Sequence, residues 1–73
     1  MATINGDKGQ SNKPAKRLYS IREGAAYIGR TVAAMREVIW AGKIPIVRFD
    51  RRIYLDIRDL ERYIEQNKMV YSP

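Results

Sequence analysis

The stretch Ser20-Ile21-Arg22-Glu23-Gly24-Ala25-Ala26-Tyr27-Ile28-Gly29-Arg30-Thr31-Val32-Ala33-Ala34-Met35-Arg36-Glu37-Val38-Ile39-Trp40-Ala41-Gly42 decides the fold. It opens on a capping box: the Ser20 hydroxyl accepts from the backbone N–H of Glu23, whose carboxylate reaches back. Ile21, Ala25 and Ile28 then fall at i, i+4 and i+7, one apolar stripe of a helix. Gly29 ends it, because glycine takes positive φ without steric cost. Thr31 caps a second helix. Met35, Val38 and Ile39 form its inward face, and Ala33, Arg36, Glu37 and Trp40 the opposite one. Gly42 closes it. Two short helices, two or three residues apart with glycine at the bend, have the helix-turn-helix spacing. Ala25 suits a tight crossing, where only a small residue fits.

Downstream, Ile44-Pro45 breaks the helix and starts an extended segment. Val47 and Phe49 flank Arg48, and Ile53 and Leu55 flank Tyr54. For Val47, Phe49, Ile53 and Leu55 to share one core, the connection must hold an odd number of residues. Asp50-Arg51-Arg52 is therefore expected as a three-residue loop, with Arg48 and Tyr54 outward. Asp56 caps a third helix, with Asp59 in its first turn, where the helix dipole favours negative charge. Ile57, Leu60 and Ile64, widened by Tyr63, form its stripe. The fold expected is mostly α with a small β-hairpin: a winged helix-turn-helix of three helices and a two-stranded wing over residues 18–68. Residues 1–17 read as a disordered basic arm, too polar to offset the entropy of ordering. That arm can follow phosphates or remain a solvated tail. Residues 69–73 form a C-terminal tail.

The chain has 73 residues, a net charge of +6, and neither cysteine nor histidine. Disulfides, zinc fingers and most nucleophile–base pairs are excluded on chemistry alone. No metal or cofactor is expected. Apolar runs such as Val38-Ile39-Trp40-Ala41 fall far short of the roughly 20 residues of a membrane span, and no secretory signal is visible. A cytoplasmic, nucleoid-associated location is expected. So basic a small chain suits a polyanionic partner, although charge also serves solubility. No glycine-rich phosphate loop or acid pair points to catalysis, and the expectation is a protein that is not an enzyme.

Several side chains are candidates for contact with double-stranded DNA. A helix of this kind presents its N-terminal and outward residues to base edges in the major groove. Arg36 suits a bidentate contact with guanine, and Ala33 a thymine methyl. Arg30 and Thr31 lie where phosphates meet a helix N-terminus. Glu37 either accepts from a cytosine amine or pairs with a nearby arginine, and the pairing is favoured. Arg48, Arg51 and Arg52 put three guanidinium groups on the hairpin, suited to phosphates or a narrow minor groove. Arg58 and Arg62, at i and i+4, could pair with nearby acids and by default read as solvated. Trp40 either packs on the hairpin's edge or offers an apolar patch to DNA sugar or a neighbouring protein.

The run Leu18 to Thr31, the link Ala41-Gly42-Lys43-Ile44-Pro45-Ile46-Val47-Arg48, and Arg51-Arg52-Ile53-Tyr54-Leu55-Asp56-Ile57-Arg58-Asp59-Leu60 together resemble the excisionase-family DNA-binding domains, which share the MerR-like winged-helix architecture. The resemblance covers about residues 18–67. It implies a phage or mobile-element protein that binds beside attachment sites, bends the duplex and steers an integrase (a tyrosine or serine recombinase) toward excision. Cooperative self-association on DNA is part of that expectation. The family's contacts would carry over to Thr31, Arg36, Arg48, Arg51 and Arg52. Asp50 stands where many members have glycine, and Val32 and Ala33 where basic or hydroxyl residues are common. Two other functions suit the same chemistry: a small transcriptional regulator, and a module that docks a protein such as the integrase.

Overall fold

In the computed structural model, residues 16–72 are described. They form β1 (Leu18–Ser20), α1 (Ile21–Ile28), α2 (Val32–Trp40), β2 (Val47–Phe49), β3 (Arg52–Asp56) and α3 (Ile57–Gln66). The expected arm lies, for residues 1–15, outside the described residues. Its last two members are tied down: Lys16 pairs with Glu23 and Arg17 with Asp56.

Each helix starts where the side chains dictate. Ser20 Oγ accepts from Glu23 N–H at 3.1 Å, and Ser20 N–H donates to Glu23 Oε1 at 2.9 Å, completing the capping box. Gly29 closes α1 with φ 74°, and the Arg30 N–H donates to the Ala25 carbonyl at 2.8 Å. That bond satisfies a carbonyl the helix end would leave bare. Thr31 Oγ1 accepts from Ala34 N–H at 3.1 Å and starts α2, so three residues separate the two helices. Asp56 Oδ1 accepts from Arg58 N–H at 2.9 Å and starts α3.

The core is Ala25 of α1, Met35 and Val38 of α2, Ile44 of the link, Leu55 of β3 and Leu60 of α3. Tyr19, Ile21, Ile28, Val32, Ile39, Ile57 and Tyr63 pack around it, half-buried. Gly24 is buried too, and a methyl built on it would stand 2.5 Å from Leu55 Cδ1. Glycine is therefore what lets α1 lie on β3.

The sheet has one strand more than the sequence reading expects. Its order is β1-β3-β2, antiparallel throughout, with Leu18 opposite Asp56 and Ser20 opposite Tyr54. The wing hairpin is thus backed by a strand that leads directly into α1.

The hairpin register also differs. Val47 faces Tyr54, Arg48 faces Ile53 and Phe49 faces Arg52, which leaves a two-residue turn, Asp50-Arg51. Asp50 takes φ 55°, the positive angle that the first position of a tight hairpin turn requires and that aspartate tolerates. The Arg48 Nε donates to the Asp50 carbonyl at 3.0 Å across the tip. Directly opposed residues share a face. Phe49 therefore lies on the face of Tyr54 and Val47, not on that of Leu55 and Ile53. It is 56% exposed, its ring 6.0 Å from that of Tyr54. Arg48 lies on the Ile53 side, but burial fades toward the tip and its side chain is exposed. The expected three-residue loop assumed that both apolar residues of β2 must be buried; a hairpin that projects past its core removes that demand.

Candidate nucleic-acid interface

The outward face of α2 is as expected. Ala33, Arg36, Glu37 and Trp40 are exposed, while Met35 and Val38 on the other side are buried. Arg36 and Trp40 are one helical turn apart, so they share a stripe. Trp40 does not pack on the hairpin's edge; at 75% exposed it stands in solvent at the end of α2. The helix period places it beside Arg36, away from the core. For Glu37 the favoured pairing finds no support: no ion pair joins it to an arginine among the described residues, and its carboxylate is exposed.

Arg30 and Thr31 occupy the turn ahead of α2. Thr31 uses an oxygen lone pair for its cap, which leaves the hydroxyl proton available to an incoming acceptor. Arg30 is exposed and leans toward the end of α3, where it lines a groove of about 360 Å³ with Ile28, Tyr63, Ile64, Asn67 and Lys68. It therefore flanks the outward face of α2 instead of lying on it.

On the hairpin, Arg48, Arg51 and Arg52 are all exposed. The tip bond from Arg48 to Asp50 directs that guanidinium along the turn. Arg51 sits in the turn itself. Arg52 begins β3 and, with Arg22, Ser20, Ile21, Ile53 and Tyr54, lines a shallow groove of about 400 Å³ between the start of α1 and the hairpin. Among the described residues no hydrogen bond or ion pair joins the α2 group to the hairpin group; each is placed by its own element.

Charge is distributed unevenly. Four ion pairs are present among the described residues: Lys16–Glu23, Arg17–Asp56, Arg62–Asp59 and Lys68–Glu65. They lie at the flank of β1, in the first turn of α1, at the end of β3 and along and just after α3; Arg22 and Arg58 in the same elements stay unpaired among the described residues. The basic side chains from Arg30 through Arg52 take no part in them. Two of these acids, Glu23 and Asp56, are favoured in their charged form. Hydrogen bonding from Lys16, then from the Ser20 backbone, lowers the pKa of Glu23. The Arg58 backbone N–H, then Arg17, lowers that of Asp56.

Arg22 escaped the sequence reading. It sits in the first turn of α1, exposed, where the helix dipole disfavours a cation. That misplacement was the available signal. Among the described residues no helix is long and apolar enough to cross a membrane, and no cluster of His, Cys, Asp and Glu is gathered to hold a metal ion.

No curated protein and no solved structure matches the sequence. A family model described as a helix-turn-helix domain matches residues 18–68, more than two thirds of the chain and all six of its helices and strands. Capped helices three residues apart, a hairpin behind them and that match agree: the chain belongs to the excisionase-type family of DNA-binding helix-turn-helix domains.

Proposed function

We propose that the chain is a sequence-specific architectural DNA-binding protein, an excisionase, that binds and bends attachment-site duplex so that an integrase is directed toward excision. In this reading α2 enters the major groove. Arg36 reads guanine, Ala33 contacts a thymine methyl, and Glu37, free of an arginine partner among the described residues, accepts from a cytosine amine. Arg30 and Thr31 hold phosphates at the helix start. Arg48, Arg51 and Arg52 hold the neighbouring minor groove or its phosphates, and copies on adjacent sites assist one another. Exposed Trp40 is assigned to contact with the integrase.

The carrying observation is the distribution of ion pairs. Lys16, Arg17, Arg62 and Lys68 are paired with acids, whereas no basic side chain from Arg30 through Arg52 makes an ion pair among the described residues; outside that stretch only Arg22 and Arg58 share this. Phosphate neutralisation with counterion release gains most from arginines that have no acid to leave.

Binding to a panel of duplexes across a salt series tests this. Arg36→Ala should reduce discrimination at one base pair by about 1–3 kcal/mol. Arg51→Ala with Arg52→Ala should weaken binding to all sequences alike and flatten the salt dependence. Binding that is indifferent to salt would overturn the DNA interface. Unchanged excision when the protein is added to an integrase reaction on attachment-site DNA would overturn the excisionase role.

A further inference from the structure

A second basic feature lies beside the hairpin, at the start of α1. Arg22 in the first turn of α1 and Arg52 at the start of β3 line the same shallow groove, whose floor is Ser20, Ile21, Ile53 and Tyr54. Both arginines are exposed, and neither makes an ion pair or side-chain hydrogen bond among the described residues. Glu23, next to Arg22, is already engaged by Lys16 and by the Ser20 backbone N–H, and Asp50, two residues from Arg52, makes no ion pair among the described residues. Two guanidinium groups thus flank one hollow at the positive end of a helix dipole, and no described acid is paired with either. Such a site repels cations and lowers its energy by admitting an anion. The groove is open and about 400 Å³ in volume, room enough for a phosphodiester that remains part of a longer chain.

We infer that Arg22 and Arg52 clamp one backbone phosphate of the duplex, a contact that extends the interface from the hairpin onto the start of α1. It rests on the DNA-binding reading above. The sheet makes the clamp rigid. Ser20, immediately before α1, is paired with Tyr54 of β3, so the helix start that carries Arg22 is tied to the strand that carries Arg52. Phosphate contacts made from rigid elements set the register of a protein on DNA without reading sequence.

The test uses the full chain and a short duplex of random sequence, titrated over a salt series. The variants are Arg22→Gln, Arg52→Gln and the double variant, with Arg62→Gln on α3 as control. Arg22 is exposed, so its variant should melt as the parent does, which circular dichroism checks. Arg22→Gln should weaken binding up to about fivefold, the range of an exposed ion pair. The double variant should lower the log–log salt slope by about 0.9, the share of one phosphate. Because both arginines grip one phosphate, the two losses should not multiply: once one is gone, removing the other costs less. Arg22→Gln binding as tightly and as salt-dependently as the parent would overturn the clamp, as would two losses that multiply in full. A parent that fails to bind, or binds without salt dependence, would instead overturn the DNA interface itself.

Discussion

Gly24→Ala sets two known effects against each other in one position. Alanine inside a helix is favoured over glycine by about 1 kcal/mol. Against this, the new methyl would lie 2.5 Å from Leu55 Cδ1, with Leu60 Cδ2 at 3.6 Å. Carbon atoms rest at about 3.5–4.0 Å, so Leu55 must retreat by roughly 1 Å. Leu55 and Leu60 are both wholly buried, so that movement has to be taken up by repacking of the core. Overfilling a packed core costs about 1–3 kcal/mol. The net expectation is a loss of about 1 kcal/mol, read as a fall in Tm of about 4–8 °C for a domain this small. Thermal unfolding followed by circular dichroism measures it. Leu55→Val removes the Cδ1 atom, so in that background Gly24→Ala should become neutral or stabilising. A Tm that rises in the single variant, or the same penalty in both backgrounds, would refute the contact as the cause.

Four further outcomes are expected. Thr31→Ala removes the cap of α2 and should cost about 1 kcal/mol in urea unfolding, while Thr31→Ser should restore most of it. Met35→Ala, at a site with no exposure, should cost about 2–5 kcal/mol and leave the chain largely unfolded at 37 °C. Asp50→Gly should leave stability equal or higher, because glycine takes φ 55° without strain, and should strengthen duplex binding by removing the one acid at the arginine-rich tip. For pH the sign follows from lowered pKa values in the folded state. Asp56 and Glu23 contribute stability that is present above their unfolded pKa values and lost as pH falls through their lower folded ones. Stability should therefore begin to fall as pH enters the ordinary carboxylate range and go on falling below it, and Asp56→Asn should make that limb shallower.

Much of this structure was legible in the side chains because caps and faces are local. Ser20 with Glu23, Gly29, Thr31 and Asp56 each act within four residues of themselves, and each marks a helix end where expected. The two sides of α2 follow from the 3.6-residue period alone. What stayed hidden depends on partners far along the chain. Leu18–Ser20 is only three residues long and becomes a strand because β3 lies beside it. Gly24 looks like any helical glycine until Leu55 is placed against it. The hairpin misled because parity assumes that every apolar residue of a strand is buried; Phe49, near the tip, covers Tyr54 instead. Of the candidate contacts, Arg36 and the hairpin arginines were visible as residue types on exposed elements. Arg22 gains meaning only when Arg52 is across a groove from it.

Asp56 holds two offices at once. It is the final residue of β3, opposite Leu18, and it is the cap of α3, with its other carboxylate oxygen held by Arg17 at 3.0 Å. Were the central strand to slide by one residue, the sheet could still pair, yet Arg17 would lose both the Asp56 carboxylate and the Ile57 N–H that its carbonyl accepts at 2.8 Å. Misalignment is thus penalised outside the sheet as well as within it. A pull along the central strand would thus be felt at the start of the third helix.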